Sequence, residues 1–145
     1  MASDQIVSGE MQIGSSVTAL SIVRYWGPVG LYAGLIFFGS SISSPPEAIS
    51  SLLKDISDKV LHFSEYALLG ALLYRACRHG AGGWMAQHAV LAAVAGSALY
   101  GLSDETHQLF VPFREADLLD VVADTVGGTV GAWSWRWIER CAYRD

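Results

Sequence analysis

Four apolar stretches of helix length alternate with short polar segments along the chain. They run from Trp26 to Ile42, Val60 to Ala76, Trp84 to Leu102 and Leu118 to Ile138. A helix that crosses a bilayer needs roughly 20 mostly apolar residues, sometimes as few as 17. Each stretch is therefore a candidate span, and together they predict an all-α integral membrane four-helix bundle. Pro28 stands near the start of the first stretch, where a missing N–H costs little. The fourth carries Ala123, Gly127 and Gly131 at every fourth position, a stripe that lets a neighbouring helix approach closely. Charges inside the second and fourth stretches leave a compact soluble helical bundle as the alternative.

Between the first two stretches, Ser44-Pro45-Pro46-Glu47 matches the S-x-x-E capping box that starts a helix. Ile49, Leu52, Leu53 and Ile56 follow at helical spacing. They predict a short amphipathic helix lying on the membrane surface, with a plain loop as the alternative. Residues 1–23 form a polar leader without the basic and apolar regions of a signal peptide. Residues 24–140 make the membrane domain and 141–145 a short tail.

Composition strengthens the membrane expectation. Hydrophobic residues make up 52% of the 145 positions and charged ones only 16%, against about 25% charged in an ordinary soluble domain. The net charge of -5 and the lack of a basic face argue against nucleic acid as a partner. Cys77 and Cys141 are too far apart in sequence to form a metal or redox motif.

The charges also give an orientation. With four spans and both termini on one side, Arg24, Arg75, Arg78, Arg136, Arg140 and Arg144 share that side, while Lys54, Lys59 and Arg114 fall on the other. Six of nine basic residues thus mark the termini as cytoplasmic. Asp4, Glu10, Glu139 and Asp145 lie inside, and the other ten acids lie outside or in the outer half. Trp26, Trp84, Trp133, Trp135 and Trp137 gather near the inner ends, as an interfacial aromatic belt does.

The polar residues inside the spans fall on three helical faces. Asp58, His62 and Glu65 lie at i, i+4 and i+7, flanked by Lys59 and Tyr66. Asp104, Glu105, His107 and Gln108 fit within one turn of a helix that continues past Leu102. Asp117, Asp120 and Asp124 lie at i, i+3 and i+7. Ionisable groups in a membrane are costly and face a protein interior or a watery cavity. Three polar stripes at the same depth predict one site, against a network that only holds the bundle together. Crowded carboxylates cannot all ionise in a poorly solvated pocket, which places acid and base forms side by side. His62 can shuttle a proton with either. Arg114, in the loop between the last two spans, can pair with a carboxylate or grip a phosphate. His62, Glu105, His107, Asp120 and Asp124 are metal-ligating types, but no H-E-x-x-H or comparable spacing groups them. No cofactor is expected.

Two segments carry a family resemblance. One is Asp58-Lys59-Val60-Leu61-His62-Phe63, continuing through Tyr66, Leu69 and Gly70. The other is Glu105-x-x-Gln108-Leu109-Phe110-Val111-Pro112-x-Arg114, then Asp120, Asp124, Gly127 and Gly131. The chain resembles the VanZ-like family of small bacterial membrane proteins over roughly residues 30 to 135. The resemblance implies a four-span protein of the bacterial inner membrane and a link to teicoplanin resistance, from the member that names the family. Carried over by position, the family's polar signature falls on Asp58, Lys59, His62, Glu105, Gln108, Arg114, Asp120 and Asp124. Phe113 stands where the family usually has Gly, and Glu115 where a small Ser is usual, so the Arg114 loop departs from the pattern. His62, Glu105, Gln108, Asp120 and Asp124 are thus the candidate catalytic residues, and Asp58, Lys59 and Arg114 the candidate substrate-binding ones. Membrane lipids are the expected partners, together with a lipid-linked envelope precursor or a lipoglycopeptide. The expected function is modification of such a precursor or lipid head group at the outer face; non-catalytic binding of a lipid, precursor, drug or envelope protein is the alternative. A proton-coupled transporter is disfavoured, because the polar residues stop in the outer half.

Overall fold

The computed structural model describes residues 20–42, 58–112, 114 and 116–143. Among them are five α-helices and no strand: α1 (Gly27–Ser40), α2 (Asp58–Gly80), α3 (Gly83–Gln87), α4 (Ala89–Gln108) and α5 (Leu118–Ala142). The expected surface helix at Ser44 to Ile56, the polar leader before residue 20, and Phe113 and Glu115 lie outside the described residues.

A π-helical turn, Ile22–Trp26, leads into α1. Pro28 stands four residues after Arg24, has no N–H for the Arg24 carbonyl and crowds it with its ring. A widened turn just before the proline is the usual relief. The predicted third span is broken at His88, where the backbone leaves helical geometry at φ -110 and ψ 36. With Nδ1 protonated, the His88 ring donates to its own upstream carbonyl, Trp84 O, at 3.1 Å. Such a local bond competes with helix continuation. Asp117 starts α5 by accepting the Leu119 N–H at 2.8 Å, a standard acidic N-cap.

The long helices run up and down alternately. At one end the α1 terminus meets the α4 terminus through Ser40 and Asp104, and the start of α2 meets the start of α5 through Lys59, Asp117 and Asp120. At the other end Trp26 Nε1 donates to Gly80 O at 3.3 Å, and His79 Nε2 lies 2.9 Å from Glu139 Oε1.

The closest pair is α2 with α5. A Cβ on Gly127 would collide with the Phe63 carbonyl, one on Gly131 with the Ala67 carbonyl, and one on Gly70 with the Gly128 backbone. Only hydrogen fits at these positions, so the small-residue stripe does bring two backbones together. Against this seam packs a modest apolar core of Val29, Ile36, Tyr66, Leu69 and Ala76, with a second cluster of Tyr74, Cys77, Ala89, Ala93 and Ala132.

The exterior has the opposite character from a soluble protein. Val122, Val126, Val130, Trp133 and Trp137 make an exposed stripe along α5, and Leu31, Leu35, Phe38, Leu91, Leu99 and Leu102 are exposed on α1 and α4. Buried instead are His62, Ser97, Asp104, Glu105, Gln108, Asp120 and Asp124. Among the described residues, no helix is long and apolar enough to cross a membrane. The reason differs by helix. α1 by itself has 14 residues, about 21 Å at 1.5 Å each against a hydrocarbon core of about 30 Å, although the π-helical turn Ile22–Trp26 runs into it without a break. α3 has only five residues, while α2, α4 and α5 are long enough but carry polar groups: His62, Glu65 and Arg75 in α2, Asp104 and Glu105 in α4, Asp120, Asp124 and Arg136 in α5.

Candidate functional site

The expected polar faces of α2, α4 and α5 meet at the end of the bundle where α2 and α5 begin. Lys59, one turn before His62, places Nζ 2.6 Å from both Asp117 Oδ2 and Asp120 Oδ1. One turn deeper, His62 Nδ1 lies 3.0 Å from Asp124 Oδ1, with both side chains buried. The i, i+4 step from Asp120 to Asp124 on α5 matches the i, i+3 step from Lys59 to His62 on α2. Because α2 and α5 run in the same direction in close backbone contact, they pair these side chains rung by rung.

The α4 terminus closes the third side. Gln108 donates through its two amide hydrogens to Asp104 Oδ2 and Glu105 Oε1, each at 3.3 Å. The Asp117 N–H donates to Glu105 Oε2 at 2.8 Å, tying the start of α5 to α4. Ser40 Oγ donates to Asp104 Oδ2 at 2.7 Å, and His107 Nε2 lies 3.0 Å from Ser41 Oγ. Gly101 makes room for the central acid, since a Cβ there would lie 2.6 Å from Asp124 Oδ2.

Of the eight expected site residues, His62, Glu105, Gln108, Asp120, Asp124 and Lys59 come together. Asp58 begins α2, but its side chain lies outside the description. Arg114 is half-buried, and its side chain makes no hydrogen bond or ion pair among the described residues. The cation that reaches the acids is Lys59. Asp104, Asp117 and Ser40 complete the constellation. Ser40 could have been found as the polar residue four positions after buried Ile36, but nothing local pointed to a partner 64 residues away.

The electrostatics are one-sided. Asp104, Glu105, Asp120 and Asp124 are buried and Asp117 half-buried, while among the described residues Lys59 and His62 are the basic groups that pair with them. Hydrogen bonding to Lys59, then to Leu119 N–H, holds the Asp117 carboxyl below its ordinary value of 3.8. Asp117, then Asp120, hold the Lys59 ammonium well above its ordinary range. Asp104 Oδ1 and Asp124 Oδ2 are buried with no hydrogen-bond partner among the described residues, as are Tyr66 Oη and Ser97 Oγ. Buried carboxylate oxygens left bare are costly and call for an explanation.

Two kinds of chemistry fit. With Nδ1–H donated to Asp124, the His62 ring is fixed in one tautomer and Nε2 becomes its basic nitrogen, as an acid–base catalyst requires. Alternatively, a ring nitrogen of His62 and one carboxylate oxygen each of Glu105 and Asp120 lie within 4.8 Å of one another, close enough to share a metal ion. A cavity of about 920 Å³ lies at the opposite end, among Arg78, His79, His88, Arg136, Glu139 and Arg140. Its carboxylate, Glu139, is bonded to Tyr74, His79 and Trp135.

No curated protein and no solved structure is similar enough to this chain to count as a match. A family model does match, across residues 13–139, which holds every residue of the cluster. By that match the chain belongs to the VanZ/LLP1 family.

Proposed function

We propose that this VanZ/LLP1 protein is embedded in the bacterial inner membrane and modifies the head group of a lipid or lipid-linked envelope precursor from the outer leaflet. One observation carries this: the bundle is inside out, with apolar side chains exposed and an acid–base cluster buried. Large exposed apolar surface marks a face that meets lipid or protein. Polar side chains turned inward are what a bundle in lipid requires. Within α2, α4 and α5, several of the polar groups that lower the hydropathy of each helix are bonded to one another in the bundle. Arg75, Arg78, Arg136 and Arg140 lie toward the end away from the acids, which supports placing the acids at the outer face. Membership of the family supports the envelope setting and, by resemblance, a link to teicoplanin resistance.

The test is a time course. Purified protein in nanodiscs is incubated with an envelope lipid extract, and products are compared by mass spectrometry for wild type and Glu105→Gln. A species that changes with wild type alone supports an enzyme and identifies its substrate class. If nothing changes but a lipid or precursor co-purifies with both forms, the protein is a binder. The dense bonding favours that second reading: Gln108 bridges two carboxylates and Asp117 N–H holds a third contact, as a purely recognising or structural network would.

A further inference from the structure

We propose that His62, Glu105 and Asp120 bind one divalent metal ion of the Mn²⁺ or Zn²⁺ class. The assignment rests on reading this cluster as the working site, and it specifies how that site would handle a phosphate-bearing head group.

Three observations carry it. The first is spacing. Ligand atoms from the three residues lie within 4.8 Å of one another, and all three side chains are buried. Donors around a tetrahedral zinc ion at about 2.1 Å lie about 3.4 Å apart, so a small contraction of the cluster completes the shell. The second is the set of residues that orient these ligands. Asp124 takes His62 Nδ1 at 3.0 Å, making Nε2 the nitrogen a cation would use. Gln108 and the Asp117 N–H hold the two Glu105 oxygens at 3.3 and 2.8 Å. Lys59 takes Asp120 Oδ1 and leaves the second oxygen of that carboxylate for the ion. Ligating histidines and carboxylates are characteristically fixed in this way by outer partners.

The third is charge. Among the described residues, four buried carboxylates and Asp117 pair with one lysine and one histidine, and Asp104 Oδ1 and Asp124 Oδ2 have no hydrogen-bond partner. A divalent cation would offset much of that excess where dielectric screening is weak. One nitrogen and two carboxylate oxygens suit a borderline-to-hard divalent ion rather than a thiolate-seeking one. Three protein ligands would leave a coordination position for water or a phosphate oxygen.

The experiment uses full-length protein in detergent, freed of metal by chelator dialysis and titrated with MnCl₂ without lipid. Loss of the free Mn²⁺ electron paramagnetic resonance signal reports binding. The expected result is one site per chain, displaced by ZnCl₂, with affinity at least tenfold weaker in Asp120→Asn and Glu105→Gln. Both variants must match wild-type circular dichroism. Pulsed measurements on the wild-type complex should show a coordinated ¹⁴N from His62, a readout that needs no variant. Absence of stoichiometric binding, unchanged affinity in both variants, or a complex without nitrogen coupling would overturn the proposal. The two readings fail separately. Mn²⁺ bound in an unchanged lipid extract sinks the lipid chemistry and keeps the metal site, whereas conversion of lipid by protein held in excess chelator sinks the metal site alone.

Discussion

Gly101 sits where α4 faces Asp124, and replacing it tests whether that acid is as tightly seated as the geometry implies. The added methyl of Gly101→Ala would lie 2.6 Å from Asp124 Oδ2, 3.0 Å from its Cβ and 3.2 Å from its Cγ. Comfortable contacts between such atoms begin at about 3.3–3.5 Å, so the carboxylate must withdraw by about 0.7 Å. The 3.0 Å bond from His62 Nδ1 to Asp124 Oδ1 then stretches or breaks. Overpacking costs about 1–3 kcal/mol, and a hydrogen bond to a charged group about 1.5–3 kcal/mol. Alanine returns about 1 kcal/mol of helix propensity over glycine. The expected net loss is about 1.5–5 kcal/mol, by combining those three ranges. Reversible unfolding in mixed micelles, followed by tryptophan fluorescence, measures it. The decisive comparison is the same substitution in an Asp124→Gly background, where all three close atoms are gone. There Gly101→Ala should be neutral or stabilising, giving a coupling of about 2 kcal/mol or more between neighbours. Equal losses in both backgrounds would refute the clash with Asp124.

Three further outcomes follow from the same geometry. Gly131→Ala forces α5 away from the Ala67 carbonyl and should destabilise by about 1–3 kcal/mol in the same unfolding assay. Ser40→Ala removes a 2.7 Å donor from buried Asp104 and should cost about 1.5–3 kcal/mol, detected as a lower melting temperature with unchanged helix content. Asp117→Asn keeps an N-cap but removes the charge opposite Lys59. Because the folded-state value of Asp117 is lowered, its stabilising contribution is full above the ordinary value of 3.8 and fades as pH falls below it. Wild type should therefore be the more stable form at neutral pH, and the gap should close under acid; a gap independent of pH would contradict the ion pair.

Much of the cluster was legible because helical spacing is local information. His62, Asp120 and Asp124 repeat at intervals that put them on single faces, and Glu105 and Gln108 share one turn. Which faces meet depends on the glycine seam, whose Gly127 and Gly131 were visible as a stripe but whose partners, Phe63 and Ala67 on α2, were not. Ser40 and Lys59 find their acids across about 60 residues of chain, beyond any local pattern. The break at His88 was hidden because no proline or glycine marks it. The first, second and fourth spans read from hydropathy survive as helices and the third is split at His88, but His62, Glu65, Asp120 and Asp124 keep α2 and α5 from being apolar enough to cross alone. Three of those residues, His62, Asp120 and Asp124, build the cluster.

The most direct measurement asks what surrounds the bundle. Spin labels are placed singly at Leu68, Leu99 and Val126, which are 48%, 68% and 48% exposed, after replacement of the free thiols Cys77 and Cys141. In lipid vesicles, an inside-out bundle predicts strong relaxation of all three labels by oxygen and weak relaxation by a water-soluble nickel chelate. Strong relaxation by the chelate at all three positions would contradict the embedding and, with it, a site that works on lipid head groups.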